Sequence, residues 1–536
     1  MFKKWFQRAN KKKRIKSEPN HRPSSNDSLS ARLSVNVQKI KEISGNSPDI
    51  TIRWMEAGAG GEWDIAVVYI NGLADSNTVN NVIVKSLMQE TEKEAGQSWM
   101  GVDVLSLIKK RVLTVGGVGD IHDMDQLLSS LFSGDTIILV EGYGRGLSAG
   151  TLGWEHRGVE EPQSQTVIRG PKEGFTENLT TNTALLRRKI QSPQLWMEMK
   201  KIGRVTQTKV AVMYLKGVAN EKVVAEVMLR LDRIDTDSIL EGGYIEEFIQ
   251  DATFTPFPTI ANTERPDAVA GAILEGQIAI LVDGTPFVLL APVTFFKFFQ
   301  SSEDYYHRYD ISTFIRIMRY TAFIVSMLLP SLYIAVTTYH QEMLPTTLLI
   351  SLMAQREGIP FPAFVEALIM EVTFEVLREA GVRMPRAIGP AISIVGALVL
   401  GQAAVQAGLV SAGMVIIVSF TAISNFVAPA FNIAIAARLL RFFFMVLAAT
   451  LGLFGIMAGL IAVLIHMAGL RSFGVPYLTP MAPFIPANQK DVLVRVPWWA
   501  MFTRPRLISQ HNSIRQGKNL KPSPHEEKEE FESEKD

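Results

Sequence analysis

GPAISIVGALVLGQAAVQAGLV, residues 389–410, contains no charged side chain over its whole length. A hydrocarbon core about 30 Å thick requires roughly 20 mostly apolar helical residues to cross it, and this run is long enough. Thr321 to Tyr339, Met414 to Ala437 and Phe442 to Leu470 share the pattern, none with Lys, Asp or Glu in its interior. Uncharged helices of that length are unusual in a water-soluble core. The expectation is a membrane domain over residues 294–480 with about four spans, at 321–339, 387–410, 414–437 and 442–470.

Polar residues inside these spans carry more information than their hydropathy, because a polar group left unpaired in lipid is costly. Gln402 and Gln406 lie one helical turn apart, on a stripe with Val395, Val399 and Leu409. That stripe suits helix–helix hydrogen bonding or a pore lining of amides separated by apolar constrictions. Asn425 and Asn432, seven apart, are expected on one face of the next span, which Pro429 interrupts. A broken, polar-faced helix is tolerated only where protein or a water-filled cavity covers it. Pro330 and Pro390 are further expected kinks. Residues 361–380 carry Glu371, Glu375 and Glu379 at four-residue spacing, hence on one helical face. They suit an amphipathic helix at the interface or an acidic pore mouth, the latter requiring several copies around an axis. With four spans both tails share one side, and the basic N-terminal tail and Arg495, Arg504, Arg506, Arg515 and Lys518 make it cytoplasmic by the positive-inside rule. The link Arg438 to Arg441 would then face outward, against that rule.

On the N-terminal side the chain repeats itself. DIAVVYINGLADSNTV from Asp64 matches KVAVMYLKGVANEKVV from Lys209, and GDTIILVEG from Gly134 matches GQIAILVDG from Gly276, at offsets of 145 and 142 residues. Two pairs at nearly one offset imply duplicated α/β subdomains, at 47–150 and 195–293, joined by a linker over 151–194. Asp283-Gly284 between β-rich runs predicts a hairpin that closes the second subdomain, and Pro286 and Pro292 exclude a helix there. The fold class is therefore an α+β multidomain membrane protein: two duplicated α/β soluble subdomains followed by a polytopic α-helical transmembrane domain. Residues 1–46 read as a disordered basic tail retained in the cytoplasm, and 481–536 as a C-terminal cytoplasmic tail ending in an acidic low-complexity stretch.

A net charge of +1 in 536 residues argues against nucleic acid as a partner. With no cysteine, disulfides and thiol chemistry are excluded. GYGRG at Gly142 lacks the remainder of a nucleotide-binding loop, and the eight histidines form no HExxH. No catalytic, cofactor or metal site is expected, and the chain does not read as an enzyme. His307, His340 and His466 read as interfacial.

Several long segments resemble the A subunits of GerA-type spore germination receptors: RGPKEGFTEN (Arg169 to Asn178), LRRKIQSPQLW (Leu186 to Trp196), PFPTIANTERPD (Pro256 to Asp267), the run from Glu275 to Arg308, REGIPFPAFVEALIMEVTFEVLREAG (Arg356 to Gly381), GQAAVQAGLVS (Gly401 to Ser411) and LRSFGVPYLTP (Leu470 to Pro480). The resemblance implies a multi-pass subunit of a nutrient-sensing complex in the spore inner membrane, acting with a permease-like B subunit and a lipoprotein C subunit. It also implies assembly into a homo-oligomeric ion channel that nutrient recognition opens. Residues 399, 402, 406, 409, 425 and 432 are then candidates for the pore lining, and Glu371, Glu375 and Glu379 for its mouth. A non-conducting signalling scaffold and a transporter are the alternatives.

Overall fold

The computed structural model describes residues 27–57, 63–88, 103–112, 117–153, 161–162, 165–383, 401–505, 507–509, 512–517 and 520–522. They fall into two compact units, residues 1–155 with 191–193 and residues 156–190 with 194–536.

In the first unit, helix α1 (Leu33–Ile43) precedes strands β1 (Ile50–Ala57), β2 (Trp63–Ile70) and β3 (Val118–Ile121), helix α2 (Met124–Ser133), and strands β4 (Thr136–Val140) and β5 (Gly146–Ala149). The sheet order is β1-β2-β4-β5-β3. The second unit opens with α3 (Leu179–Lys189), β6 (Leu195–Ile202), β7 (Thr208–Leu215), α4 (Glu221–Asp232), α5 (Gly242–Ile249), β8 (Ala261–Thr263), α6 (Pro266–Leu274), β9 (Ile278–Val282) and β10 (Val288–Ala291). Its sheet order, β6-β7-β9-β10-β8, repeats that of the first. The glycines that opened the repeated segments have one task in both copies. Gly134 and Gly276 sit at φ +102° and +98° just past α2 and α6, where a side chain would be strained.

Alternation along β7 shows how the second subdomain builds two cores. Val210, Val212 and Tyr214 pack with α4 and α5, while Ala211, Met213 and Leu215 pack with α3 and α6. The expected hairpin is present: Leu289, Leu290 and Ala291 pair antiparallel with Ile280, Ala279 and Ile278.

Beyond it lie α7 (Tyr309–Thr338), α8 (Thr346–Arg356), α9 (Ala363–Arg383), α10 (Gly401–Gln406), α11 (Ala412–Phe426) and α12 (Phe431–Gly469). By length and composition α7 and α12 are apolar enough to cross a membrane.

The helix limits differ from the four expected spans. α7 starts at Tyr309, twelve residues before the expected 321, because Asp304 pairs with the buried Arg316 and Arg319 and so supports their charges in the first turns. The expected span 387–410 lies largely outside the described residues. The expected span 414–437 is two helices separated at Val427–Ala430, where Pro429 cannot continue the ladder.

α12 is not straight. Gly452 has φ +62° and ψ −141°. A Cβ at Gly455 would stand 2.3 Å from the Leu447 carbonyl oxygen, and one at Gly459 2.7 Å from the Phe444 ring. On one straight helix those pairs would be about 12 Å and 22 Å apart at 1.5 Å per residue. Residues 431–451 and 453–469 are therefore antiparallel arms of a tight hairpin, and Arg438 and Arg441, read from sequence as a connecting loop, lie inside the first arm.

Candidate functional site: a buried ion-pair network between helices

Pro330 lies within α7 and has no N–H to give to the carbonyl of Ser326, four residues earlier. Arg441, from the first arm of α12, takes that place: its Nε donates to the Ser326 oxygen at 2.7 Å. Its Nη1 donates to Glu371 Oε2 on α9. The Arg441 and Glu371 side chains are 1% and 0% exposed, so one guanidinium ties three helices together in the bundle interior. Arg441 Nη2 and Glu371 Oε1 have no partner among the described residues.

One turn away, Arg438 grips Glu375 in a two-pronged contact, Nε to Oε1 at 2.8 Å and Nη2 to Oε2. Next along α9, the Arg378 guanidinium stands 5.2 Å from the Phe426 ring centroid and 5.9 Å from that of Phe431. The Asn425 amide, oriented so that both its atoms are satisfied, accepts from Arg378 Nη1 at 2.8 Å and donates to the Ala434 carbonyl at 3.1 Å. At the other end of α9, the buried Glu366 accepts from the Ser411 backbone N–H at 2.6 Å and from its hydroxyl. That same hydroxyl caps α11 by accepting from Met414 N at 3.2 Å.

These contacts fix the helix directions. Glu371 meets Arg441 and Glu375 meets Arg438, so α9 runs against the first arm. The Tyr339 hydroxyl at the end of α7 donates to the Ala449 carbonyl at 2.8 Å, so α7 runs with that arm. Both ends of the bundle's path meet the second subdomain or its flank: Arg319 pairs with Asp304 at 2.7 Å, and His466 Nε2 lies 2.8 Å from Thr255 Oγ1.

Against this geometry the sequence-derived candidates divide. Gln402, Gln406 and Leu409 are exposed along α10 and just beyond it. Val399 and Pro390 lie outside the described residues. The shared face expected for Asn425 and Asn432 does not exist, because the break at Pro429 puts them on different helices. Asn425 is buried in the bundle, and Asn432 borders a cavity of about 650 Å³ together with Pro429, Arg265, Asp267 and Tyr306. Glu371 and Glu375 are not free carboxylates at a mouth, since α12 arginines hold both, and Glu379 pairs with Arg383 one turn on. Pro330, an expected kink, lies inside α7, which continues on both sides of it. Arg438 and Arg441 are the members of this network that sequence reading missed. Their signal was two arginines three apart facing two glutamates four apart, each pair spanning one turn. Among the described residues no cluster of three or more His, Cys, Asp or Glu is placed to hold a metal ion.

The chain is 50% identical to spore germination protein KA of Bacillus subtilis, over 92% of its own length and 90% of that protein's. It is 38% identical to spore germination protein GerLA of Bacillus cereus, over 90% and 97% of the two chains. A further relative, 43% identical over 93% of this chain and 95% of its own, is the uncharacterized membrane protein YfkQ of Bacillus subtilis. The crystal structure of the N-terminal domain of the A subunit of the Bacillus megaterium spore germinant receptor GerK3 aligns with 50% of this chain and 98% of its own, at 46% identity and a TM-score of 0.40. The model of the Bacillus/Clostridium GerA spore germination protein family matches residues 38–507, and the chain belongs to that family.

Proposed function

We propose that this chain is the multi-pass A-type subunit of a nutrient germinant receptor in the spore inner membrane, and that copies of it assemble around an axis into an ion channel that nutrient recognition opens. A permease-like B subunit and a lipoprotein C subunit complete the receptor. The observation that carries the channel reading is the contrast between two sets of polar groups. Glu366, Glu371, Glu375, Asn425, Arg438 and Arg441 are engaged inside the bundle, whereas Gln402 and Gln406 stand exposed one turn apart on α10. Amides facing outward at membrane depth need water or a neighbouring protein copy to satisfy them.

The helix directions support a path that enters and leaves the membrane on the side of the second subdomain, and the basic tails argue that this side is cytoplasmic. The outward-facing Arg438–Arg441 link that opposed this topology is removed, because both arginines are helical and paired. The acidic mouth is withdrawn for Glu371 and Glu375. The lining reduces to Gln402, Gln406 and Leu409 among the described candidates.

Cysteine substitution tests this directly, since the chain has none of its own. Gln402→Cys and Gln406→Cys in reconstituted receptor are expected to react with a charged, water-soluble thiol reagent and to change ion flux once modified. Reaction with lipid-soluble reagents alone, or flux indifferent to modification, removes the pore assignment.

A further inference from the structure

The segment 251–257 between α5 and β8 is held at three points, yet displays a phenylalanine to solvent. Its first residue, Asp251, accepts the Phe473 backbone N–H. Thr255 Oγ1 is 2.8 Å from His466 Nε2, in the last turn of the second α12 arm. Phe257 is buried, its ring 6.3 Å from that of His466 and 6.4 Å from that of Tyr477. Between these anchors Phe254 is 98% exposed. Pinning a loop costs conformational entropy, and here the pinned geometry does nothing within the chain to bury the ring.

The surroundings identify what would cover it. Ile465, immediately before the Thr255-bonded His466, is 69% exposed, and Ile461 and Leu464 on the same arm also face outward. These belong to the apolar surface of a helix that the proposed function places in lipid. Arg471, shortly beyond the arm, is exposed and suits headgroup phosphates. On α5, which ends just before the loop, Tyr244 and Phe248 are one turn apart and both exposed. Aromatic side chains beside a cation at the end of an apolar helix fit the boundary between headgroups and acyl chains.

We propose that segment 251–256 and the exposed face of α5 are a lipid-docking surface of the second soluble subdomain, with Phe254 inserted at the level of the last turn of the α12 hairpin. A subdomain seated this way on the bilayer, through a loop bonded to a membrane helix, would be oriented by the membrane and not only by its peptide connections. This inference rests on the membrane reading of α12 given above, and the test separates the two.

The full-length chain, reconstituted in phosphatidylethanolamine and phosphatidylglycerol vesicles, would carry a single environment-sensitive fluorophore at Thr253→Cys or Ile465→Cys. Doxyl-labelled lipids quench it, with the label near the headgroup or deep in the acyl chain. The expected result is quenching of both probes, that at 253 strongest with the shallow label, and loss of quenching at 253 when Phe254→Ser is added. Quenching at 465 with none at 253 overturns the docking surface and leaves the membrane reading intact. A blue-shifted but unquenched probe at 253 also overturns it, by pointing to a second protein surface as the occupant. Absence of quenching at both positions overturns the membrane reading and this inference with it. Unchanged quenching at 253 after Phe254→Ser overturns the role given to that ring.

Discussion

Arg441 Nε lies 2.7 Å from the carbonyl oxygen of Ser326, the acceptor that Pro330 deprives of its helical donor. A proline that would weaken α7 by itself thus creates a docking point for a charged side chain of another helix. The same guanidinium reaches Glu371, so the cost of the broken ladder and the cost of burying a carboxylate are offset by one residue. That economy makes the network sensitive to single changes.

Removing one partner of a buried pair leaves the other charge uncompensated, which costs about 3–5 kcal/mol, whereas replacing both by apolar groups is often close to neutral. Arg441→Met and Glu371→Leu are each expected to lower the melting temperature of the detergent-solubilised protein sharply. The double variant is expected to recover much of the loss. Strict additivity of the two single effects would show that the pair is not coupled.

Pro330→Ala offers a second handle on the same contact. Alanine supplies the missing N–H, so Ser326 regains a helical donor and depends less on Arg441. Arg441→Met should then be less damaging in the Pro330→Ala background, by about 1 kcal/mol, the net worth of one hydrogen bond. Equal damage in both backgrounds would show that the Ser326 contact contributes nothing.

Much of this architecture was legible in the sequence. The duplicated segments gave two sheets of identical strand order, because their glycines occupy positions that only a left-handed backbone fills. The Asp283-Gly284 hairpin was equally plain, since β-rich runs around such a dipeptide have few alternatives. One miss was local: residues 33–43, inside the 1–46 stretch read as disordered, form α1, whose Leu33, Val37 and Ile40 are buried, and the rest of what stayed hidden was tertiary. RLLR is read as a loop when charge is assumed to avoid apolar helices. It becomes interior only once Glu371 and Glu375 are known to face it across 63 or more residues of chain. The reversal at Gly452 was equally invisible, because LGLFGIMAGL reads as continuous apolar helix and only the close approach of the two arms reveals why glycines stand at 452, 455 and 459.

That reversal is directly testable. Phe444→Cys and Gly459→Cys, introduced together in a chain lacking other cysteines, are expected to be joined by a short thiol-reactive cross-linker, because the ring that a Cβ at 459 would meet is removed with Phe444. On a straight helix these positions would be about 22 Å apart, beyond the reach of such a reagent. Gly452→Ala should weaken the cross-link, since φ +62° with ψ −141° is open to glycine but strained for any side chain, and the added Cβ would stand 2.8 Å from the His340 ring. Failure to cross-link with intact fold would favour one straight helix.

The second α/β subdomain carries a pH-dependent element of its own. Burial, reinforced by Glu241 and Glu247, pushes the Glu246 carboxyl on α5 up to about 7. Its folded-state value therefore lies above its unfolded one, so the folded chain holds the proton more tightly. The associated stability is fully present below about 4.5 and is lost as pH rises through about 7. Glu246→Gln keeps the neutral form at every pH. Relative to the parent it should change the melting temperature little at pH 5 and raise it at pH 8, by an amount corresponding to about 1–2 kcal/mol once partial solvent access is allowed for. Thermal unfolding of parent and variant across that range decides the matter: a stabilisation that is constant with pH would assign the effect to packing, while one that grows between pH 5 and 8 assigns it to the ionisation of Glu246.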